Sequence, residues 1–270
     1  MAASTDRLKF GFVVPWADAG EVGDLAVAAE ESGWDGLFVW EPVWGVDAWI
    51  SLGLAAARTS RIRLGTMLTP PSRRRPWELA SQVATVDRVS HGRVILSVGL
   101  GAVDSGFDSF GEECDRRTRA ELMDECLEIV TGLWDGQPFE FTGTHYQVKP
   151  TTFPTIGATV QQPRVPIWCV GALGRRTSME RALRWDGIIP QVVGDGDVRQ
   201  ATLEEVAGIR ALVGDRPYDI VIEGVGSEHS PAAWHDAGAS WWIESMWDAM
   251  REDSAATAAL DRLREGPPTT

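Results

Sequence analysis

RIRLGTMLTPPSRRRPWELASQVATVDRVSHGRVILSVGLG, from Arg61 to Gly101, is the stretch whose reading decides the fold. Ile62–Leu68 is a β-branched and leucine-rich run, and Pro70-Pro71 stops it because proline donates no ladder hydrogen bond. From Pro76 to Val89 the spacing of Leu79, Val83 and Val86 predicts a helix, with proline in its first turn and Gly92 just beyond its end. Val94–Val98 is a second apolar run, closed by Gly99-Leu100-Gly101. Strand, loop, helix and strand in that order make a βαβ unit, and strands apolar on both faces belong in a parallel sheet.

The same alternation extends both ways. Upstream lie a strand at Lys9–Val14, a helix at Glu21–Ser32, a strand at Gly36–Trp40 and a helix at Ala48–Arg58 with Asp47 as its cap. Downstream, a loop from Ala102 to Ser109 leads to a helix at Arg116–Trp134, whose Leu122, Cys126, Ile129, Val130 and Leu133 share one face. About residues 135–165 the alternation breaks: Phe139–Phe141 and Tyr146–Val148 flank Gly143 as a hairpin, and the remainder is loop. It resumes with strands at Pro166–Val170, Gly187–Pro190, Asp219–Glu223 and Ala239–Ile243. Helices are expected at Gly174–Arg184, Val198–Val213, Pro231–Asp236 and Asp248–Arg264. Eight strand–helix repeats predict a single (β/α)8 TIM barrel over residues 1–270, with an insertion between helix four and strand five and a flexible tail at 265–270. An open, doubly wound sheet is the alternative on pattern alone.

Composition narrows the function. The net charge of −14 argues against nucleic acid, since an acidic surface repels phosphate. No apolar run is long enough to span a membrane, and the N-terminus lacks a signal-peptide pattern. Cys114, Cys126 and Cys169 form no C-x-x-C pair and read as buried free thiols of a cytoplasmic protein. Thirteen tryptophans are many for 270 residues, and several fall at predicted strand ends.

In a barrel the C-terminal strand ends carry the chemistry. Metal hydrolysis lacks paired ligands, because His91, His145, His229 and His235 are scattered; no metal is expected. No G-x-S-x-G occurs, and no cysteine has a neighbouring histidine. Glu41, Asp104 and Glu223 offer carboxylates, but nothing singles out a facing pair. Trp16, Trp40, Trp44, Met67 and Leu68 would instead line a wide apolar pocket, suited to a planar cofactor that brings its own chemistry. Gly171 and Gly174 precede a helix with Arg175 and Arg176 in its first turn. That pattern fits a phosphate site or an ordinary tight βα turn. The run Arg73-Arg74-Arg75 reads as a solvated loop.

Leu64–Gly101 resembles the corresponding stretch of the bacterial luciferase-like family of flavin-dependent oxidoreductases. In matching order, so do Trp34–Glu41, Phe110-Gly111-Glu112 with the following helix, Pro166–Gly171, and Asp186–Pro190. The resemblance covers roughly Leu8–Gln191 and implies a barrel binding reduced FMN or the deazaflavin F420 in its mouth. It also implies a homodimer, a small-molecule substrate, and a separate flavin or F420 reductase as a partner. It places the ring on Met67-Leu68, where the family often has a non-prolyl cis peptide, and the cofactor phosphate near Gly171, Ala172 and Arg175. Trp40, Thr66, Gly99 and Gly101 complete the expected cofactor contacts, and Glu41 and Trp44 are the candidate catalytic residues. Glu41 is read either as orienting substrate or cofactor or as a barrel-rim ion pair. Many members carry Asp-His after strand two; here Glu41-Pro42 stands there, so that acid/base machinery does not carry over. A barrel that binds a flavin or another ligand without turnover is the alternative.

Overall fold

The computed structural model describes residues 7–152, 159–193, 198–224, 228–248 and 254–268. The chain begins β1 (Lys9–Val14), α1 (Ala19–Glu31), β2 (Gly36–Val39), α2 (Ala48–Arg58), β3 (Arg63–Thr66), α3 (Pro76–Val89), β4 (Val94–Val98) and α4 (Arg116–Asp135). A hairpin, β5 (Phe139–Thr142) and β6 (Gln147–Thr151), precedes β7 (Ile167–Leu173), α5 (Arg176–Leu183), β8 (Gly187–Val193), β9 (Val198–Gln200) and α6 (Leu203–Val213). Then come β10 (Asp219–Glu223), α7 (Pro231–Asp236), β11 (Trp241–Ser245) and α8 (Ala255–Arg264).

Parallel pairing runs β10-β11-β1-β2-β3-β4-β7-β8, and β8 pairs back with β10, which closes the expected eight-stranded barrel. Alternation along each strand sends one set of side chains inward and the other against the helices. The inward set includes Val13, Phe38, Ile95, Trp168, Val221, Trp241 and Ile243, all fully buried. Phe38, Trp168 and Trp241 meet one another at centroid distances of 5.2–6.0 Å and plug the barrel. Three such rings fit because inward positions of neighbouring strands are glycine. A Cβ on Gly11 or Gly36 would lie 2.8 Å from Phe38, and one on Gly187 would lie 2.5 Å from Trp168.

The insertion is fastened rather than loose. Glu125 of α4 accepts hydrogen bonds from the amides of Thr144, His145 and Tyr146 at the hairpin turn. Buried Asp87 of α3 accepts from Val160 N at 2.7 Å and Gln161 Nε2 at 2.8 Å. Residues 153–158, between these two anchors, lie outside the described residues.

Several boundaries differ from the sequence reading. Regular strand in the apolar run Ile62–Leu68 ends at Thr66; a cis peptide joins Met67 to Leu68 at the expected place, and Thr69 bridges to Val98 beyond it. The helix expected from Val198 starts only at Leu203, because Val198–Gln200 pairs antiparallel with β8 and Thr202 with Glu205 forms a capping box. Of the helix expected from Asp248, Ala255–Arg264 is helical and residues 249–253 lie outside the described residues. In the expected tail, Gly266 is bound to Leu263 O and to Arg262, so the chain is held at least that far; residues 269–270 are not described. Cys126 and Cys169 are buried as expected, whereas Cys114 is exposed.

Candidate active site at the C-terminal mouth

The floor of the mouth is apolar and partly open. Met67 and Ile189 pack on the buried plug, and Leu68 beside them is half-buried. Gly99 exists for Leu68: a Cβ there would come within 2.7 Å of the leucine side chain and 3.0 Å of Val170. Gly101 has φ +74°, and a Cβ would strike Phe107 at 2.7 Å and Pro70 at 3.0 Å. Both glycines therefore shape the floor by what they leave out. Thr66 is fully buried beneath it, with its hydroxyl 3.2 Å from Ser97 O. Around the floor, Trp16, Trp44, Val103, Phe110 and Trp247 are exposed, all of them after C-terminal strand ends.

Trp40 and Trp44 diverge. Trp40 is half-buried and lines a narrow recess with Val14, Trp16 and Pro42, against α1 and α2. Trp44 is 81% exposed at the tip of its loop. With Glu41, Pro42, Arg73 and Arg74 it borders a separate cleft of 240 Å³.

Glu41 is the most constrained acid of the mouth, with 2% of its side chain exposed. Its Oε2 accepts from Thr69 Oγ1 at 2.8 Å, and its Oε1 accepts from Arg74 Nε at 2.8 Å. Burial alone would push the Arg74 guanidinium down; Glu41, helped by Asp47 and Glu78, outweighs it and holds the group above its ordinary value. Glu41 therefore has the geometry of a barrel-rim ion pair, with both oxygens engaged.

The solvated-loop reading of the arginine run holds for Arg75 alone. Arg73 keeps 8% of its side chain exposed, donates from Nη2 to Pro42 O at 3.2 Å and Val43 O at 3.0 Å, and lies 3.6 Å from Glu112. Its guanidinium sits 5.3 Å from the Phe107 ring, and that of Arg119 sits 5.8 Å from the same ring. Arg119 donates to Leu100 O and Gly101 O. Two buried cations thus fasten the loops after β2 and β4 around one phenyl ring. The sequence reading missed both, since their partners are carbonyls and a ring distant in sequence.

Gly171 lies within β7, paired with Pro190, and a Cβ there would meet Ile188 at 2.4 Å and Ala182 at 3.3 Å. It lets α5 approach the strand. The Ala172 amide donates to Ser178 Oγ at 3.0 Å, and the turn itself is at Gly174, φ +77°. Arg175 caps α5 and is exposed, while Arg176 pairs with Glu180. Glu223, at the end of β10, accepts from Ser245 and Trp247. Burial pushes the Cys126 and Cys169 thiols up to about 12, so neither is a ready nucleophile.

A family model, luciferase-like monooxygenase, matches residues 1–267. The chain belongs to that family. Its first-half pattern and closed barrel are those expected of it. An F420-dependent glucose-6-phosphate dehydrogenase of Microbacterium testaceum is 32% identical over 183 residues, 63% of this chain and 52% of the relative. The fold matches the coenzyme F420-dependent tetrahydromethanopterin reductase of Methanopyrus kandleri with a TM-score of 0.72 and 14% identity, covering 96% of this chain and 98% of the other. It also matches the oxygenating constituent of 3,6-diketocamphane monooxygenase from Pseudomonas putida, a protein in complex with FMN. There the TM-score is 0.58 and the identity 15%, over 88% of this chain and 66% of the other.

Proposed function

We propose that this barrel is an oxidoreductase that binds reduced FMN or F420 in its mouth and acts on a small organic substrate. The observation that carries the reading is the apolar floor of Met67, Leu68 and Ile189, seated on a dry aromatic plug and ringed by exposed tryptophans. A flat tricyclic ring fits such a surface, and the donor-poor floor leaves redox chemistry to the cofactor. When bound, the reduced ring supplies a hydride or the electrons that activate O₂. The chain's own share is support, exclusion of water and orientation. Met67 and Leu68 back the ring; Gly99 and Gly101 keep that surface flat. Thr66 and Thr69 hold the end of β3, and Glu41 with Arg74 holds the neighbouring loop. The phosphate is assigned to Arg175 and the α5 amides. The exposed guanidinium supports this, and the Gly171–Ala172 backbone serves α5 packing instead.

Pro42 gives no proton, so the reaction avoids an acid or base at that position. We infer that sugar-phosphate oxidation of the kind named for the dehydrogenase relatives is weak or absent here. Cytoplasmic placement, supply of reduced cofactor by a separate reductase and a homodimer complete the reading. Exposed Ile50, Leu54 and Trp77 on adjoining helices support the dimer. Titrating FMN and F420 in both redox states, then following turnover, tests the core proposal; saturable binding of neither cofactor defeats it. Oxidised F420 with glucose 6-phosphate, assayed on wild type and Pro42→His, tests the role of Pro42. Brisk wild-type reduction overturns that inference. Light scattering at micromolar concentration that gives a monomer mass overturns the dimer.

A further inference from the structure

A further cavity lies at the opposite end of the barrel. It is a 500 Å³ bowl lined by the strand beginnings Lys9, Asp35, Arg63, Asp219 and Trp241, and by Glu30 and Arg61. Its acids are fully engaged. Glu30 accepts from the amides of Ser60, Arg61 and Ile62; Asp35 accepts from Arg7 and Phe10 N; Asp219 accepts from Trp168 Nε1 and Ser240 Oγ. Its cations are not. Among the described residues, the Lys9 ammonium has no hydrogen bond or ion pair and rests 5.3 Å from the Trp241 ring. Arg61 makes one side-chain contact, 3.4 Å to Glu30 O. Arg63 bonds only neutral acceptors: Gly92 O, Val94 O and Gln161 Oε1. Burial pushes its guanidinium down by more than the nearby charges of Asp219 and Asp87 raise it. Trp241, itself 1% exposed, leaves its Nε1–H without a partner. The bowl therefore has a surplus of donors over an apolar floor that includes Ile95, Ile62 and Trp34.

We propose that this bowl binds an organic anion with a flat apolar body, an aromatic carboxylate, with Lys9, Arg61 and Arg63 facing the carboxylate and Trp241 and Ile95 facing the ring. Acceptors satisfy the unused donors, and a desolvated cation gains most from an anion. The volume is within the range of small-molecule sites. The site is independent of the cofactor mouth, since the plug of Phe38, Trp168 and Trp241 separates them.

The test is calorimetric titration of the full chain with 2-naphthoate. Saturable binding of one molecule per chain is expected, weakened about tenfold or more in Lys9→Gln/Arg61→Gln, the scale of one lost hydrogen bond to a charged group. Neutral 2-naphthamide should bind at least as poorly as the variant binds the acid. The single variant Arg61→Gln, at an exposed position, gives the same reading if the double variant fails to fold. Absence of saturation, unchanged affinity in the variants, as binding at the mouth would give, or equal binding of the amide overturns the proposal.

Discussion

The two ends of this barrel are finished in opposite ways. At the C-terminal mouth the buried charges are mostly spent on one another or on carbonyls. Glu41 holds Arg74, Arg73 and Arg119 hold loop carbonyls, Glu223 takes Ser245 and Trp247, and Trp16, Trp44, Phe110 and Trp247 stay exposed around them, with Arg175 also exposed on the rim. At the N-terminal bowl the acids are spent and the cations remain, above an apolar floor. The lesson is that residue type alone does not mark a site. The run of three arginines looks electrostatic yet is mostly scaffolding, while the scattered Lys9 and Arg61 leave their cationic groups almost unused and Arg63 bonds neutral acceptors.

The sharpest way to break the comparison is to remove what divides the two ends. Trp168 is fully buried, packs on Phe38 and Trp241, and donates Nε1 to Asp219 at 3.1 Å. Trp168→Ala is expected to cost ~3–5 kcal/mol of stability, as large-to-small core changes of this size do. Urea unfolding measures it. A loss under about 1 kcal/mol would mean that the interior repacks and that the ends are not separated by a rigid plug.

The next largest effect tests whether the mouth's charges are scaffolding. Glu41→Ala leaves the Arg74 guanidinium, 19% exposed, without its carboxylate. The expected cost is about 3 kcal/mol, the lower end for breaking a buried pair, because Arg74 retains some solvent. Turnover per folded molecule should change little, and its pH profile should keep its shape. A collapse of kcat at unchanged stability would instead make Glu41 catalytic.

Arg175→Ala acts on the ligand rather than on the fold. Removing an exposed guanidinium that holds a phosphate weakens cofactor binding by ~1.5–3 kcal/mol. Stability should be unaffected, since the residue packs nothing into the core. Equal affinity of variant and wild type for FMN or F420 would place the phosphate elsewhere on the rim.

The barrel was legible where local and tertiary signals agree. Leu79, Val83 and Val86 repeat at helical spacing on α3, and four of the five residues of β4 are apolar. The bend at Met67-Leu68 was reached through family resemblance, as local composition does not encode it. Nothing local separates β9 from the helix that follows: its three residues carry no alternation, and only Ala201 and the cap Thr202 lie between it and α6. In the site, the sequence points to Glu41 and allows a rim ion pair for it, but does not show that Arg74, 33 residues on, is the partner. Trp44 was placed in the pocket by its position after β2, yet its side chain lies 81% exposed. Pairings across loops depend on where the barrel brings strand ends together, and that information is absent from any local window.

The smallest effect concerns β9 and α6, beside the mouth, and asks whether even the rim's exposed charges are spent. Arg199 donates from both Nη atoms to Glu205 at 2.9 Å, and the Thr202 amide donates to the same carboxylate at 2.8 Å. Arg199 lowers the Glu205 carboxyl most, partial burial opposes it, and the Thr202 amide adds to the lowering, which brings it to about 2. A folded-state value below the unfolded one, roughly 4.3, means the unfolded chain binds the proton first as pH falls. The contribution is therefore fully present above about pH 5 and disappears as pH falls toward 2. Arg199 is 54% exposed, so solvent screening keeps the contribution of the pair small. Glu205→Gln should be slightly less stable than wild type at pH 7, and the gap should close in acid. It should also narrow in 1 M salt. A gap that persists unchanged at pH 2.5 would assign the stabilisation to the capping hydrogen bonds with Thr202, which glutamine can still make in part, and not to the charge on Arg199.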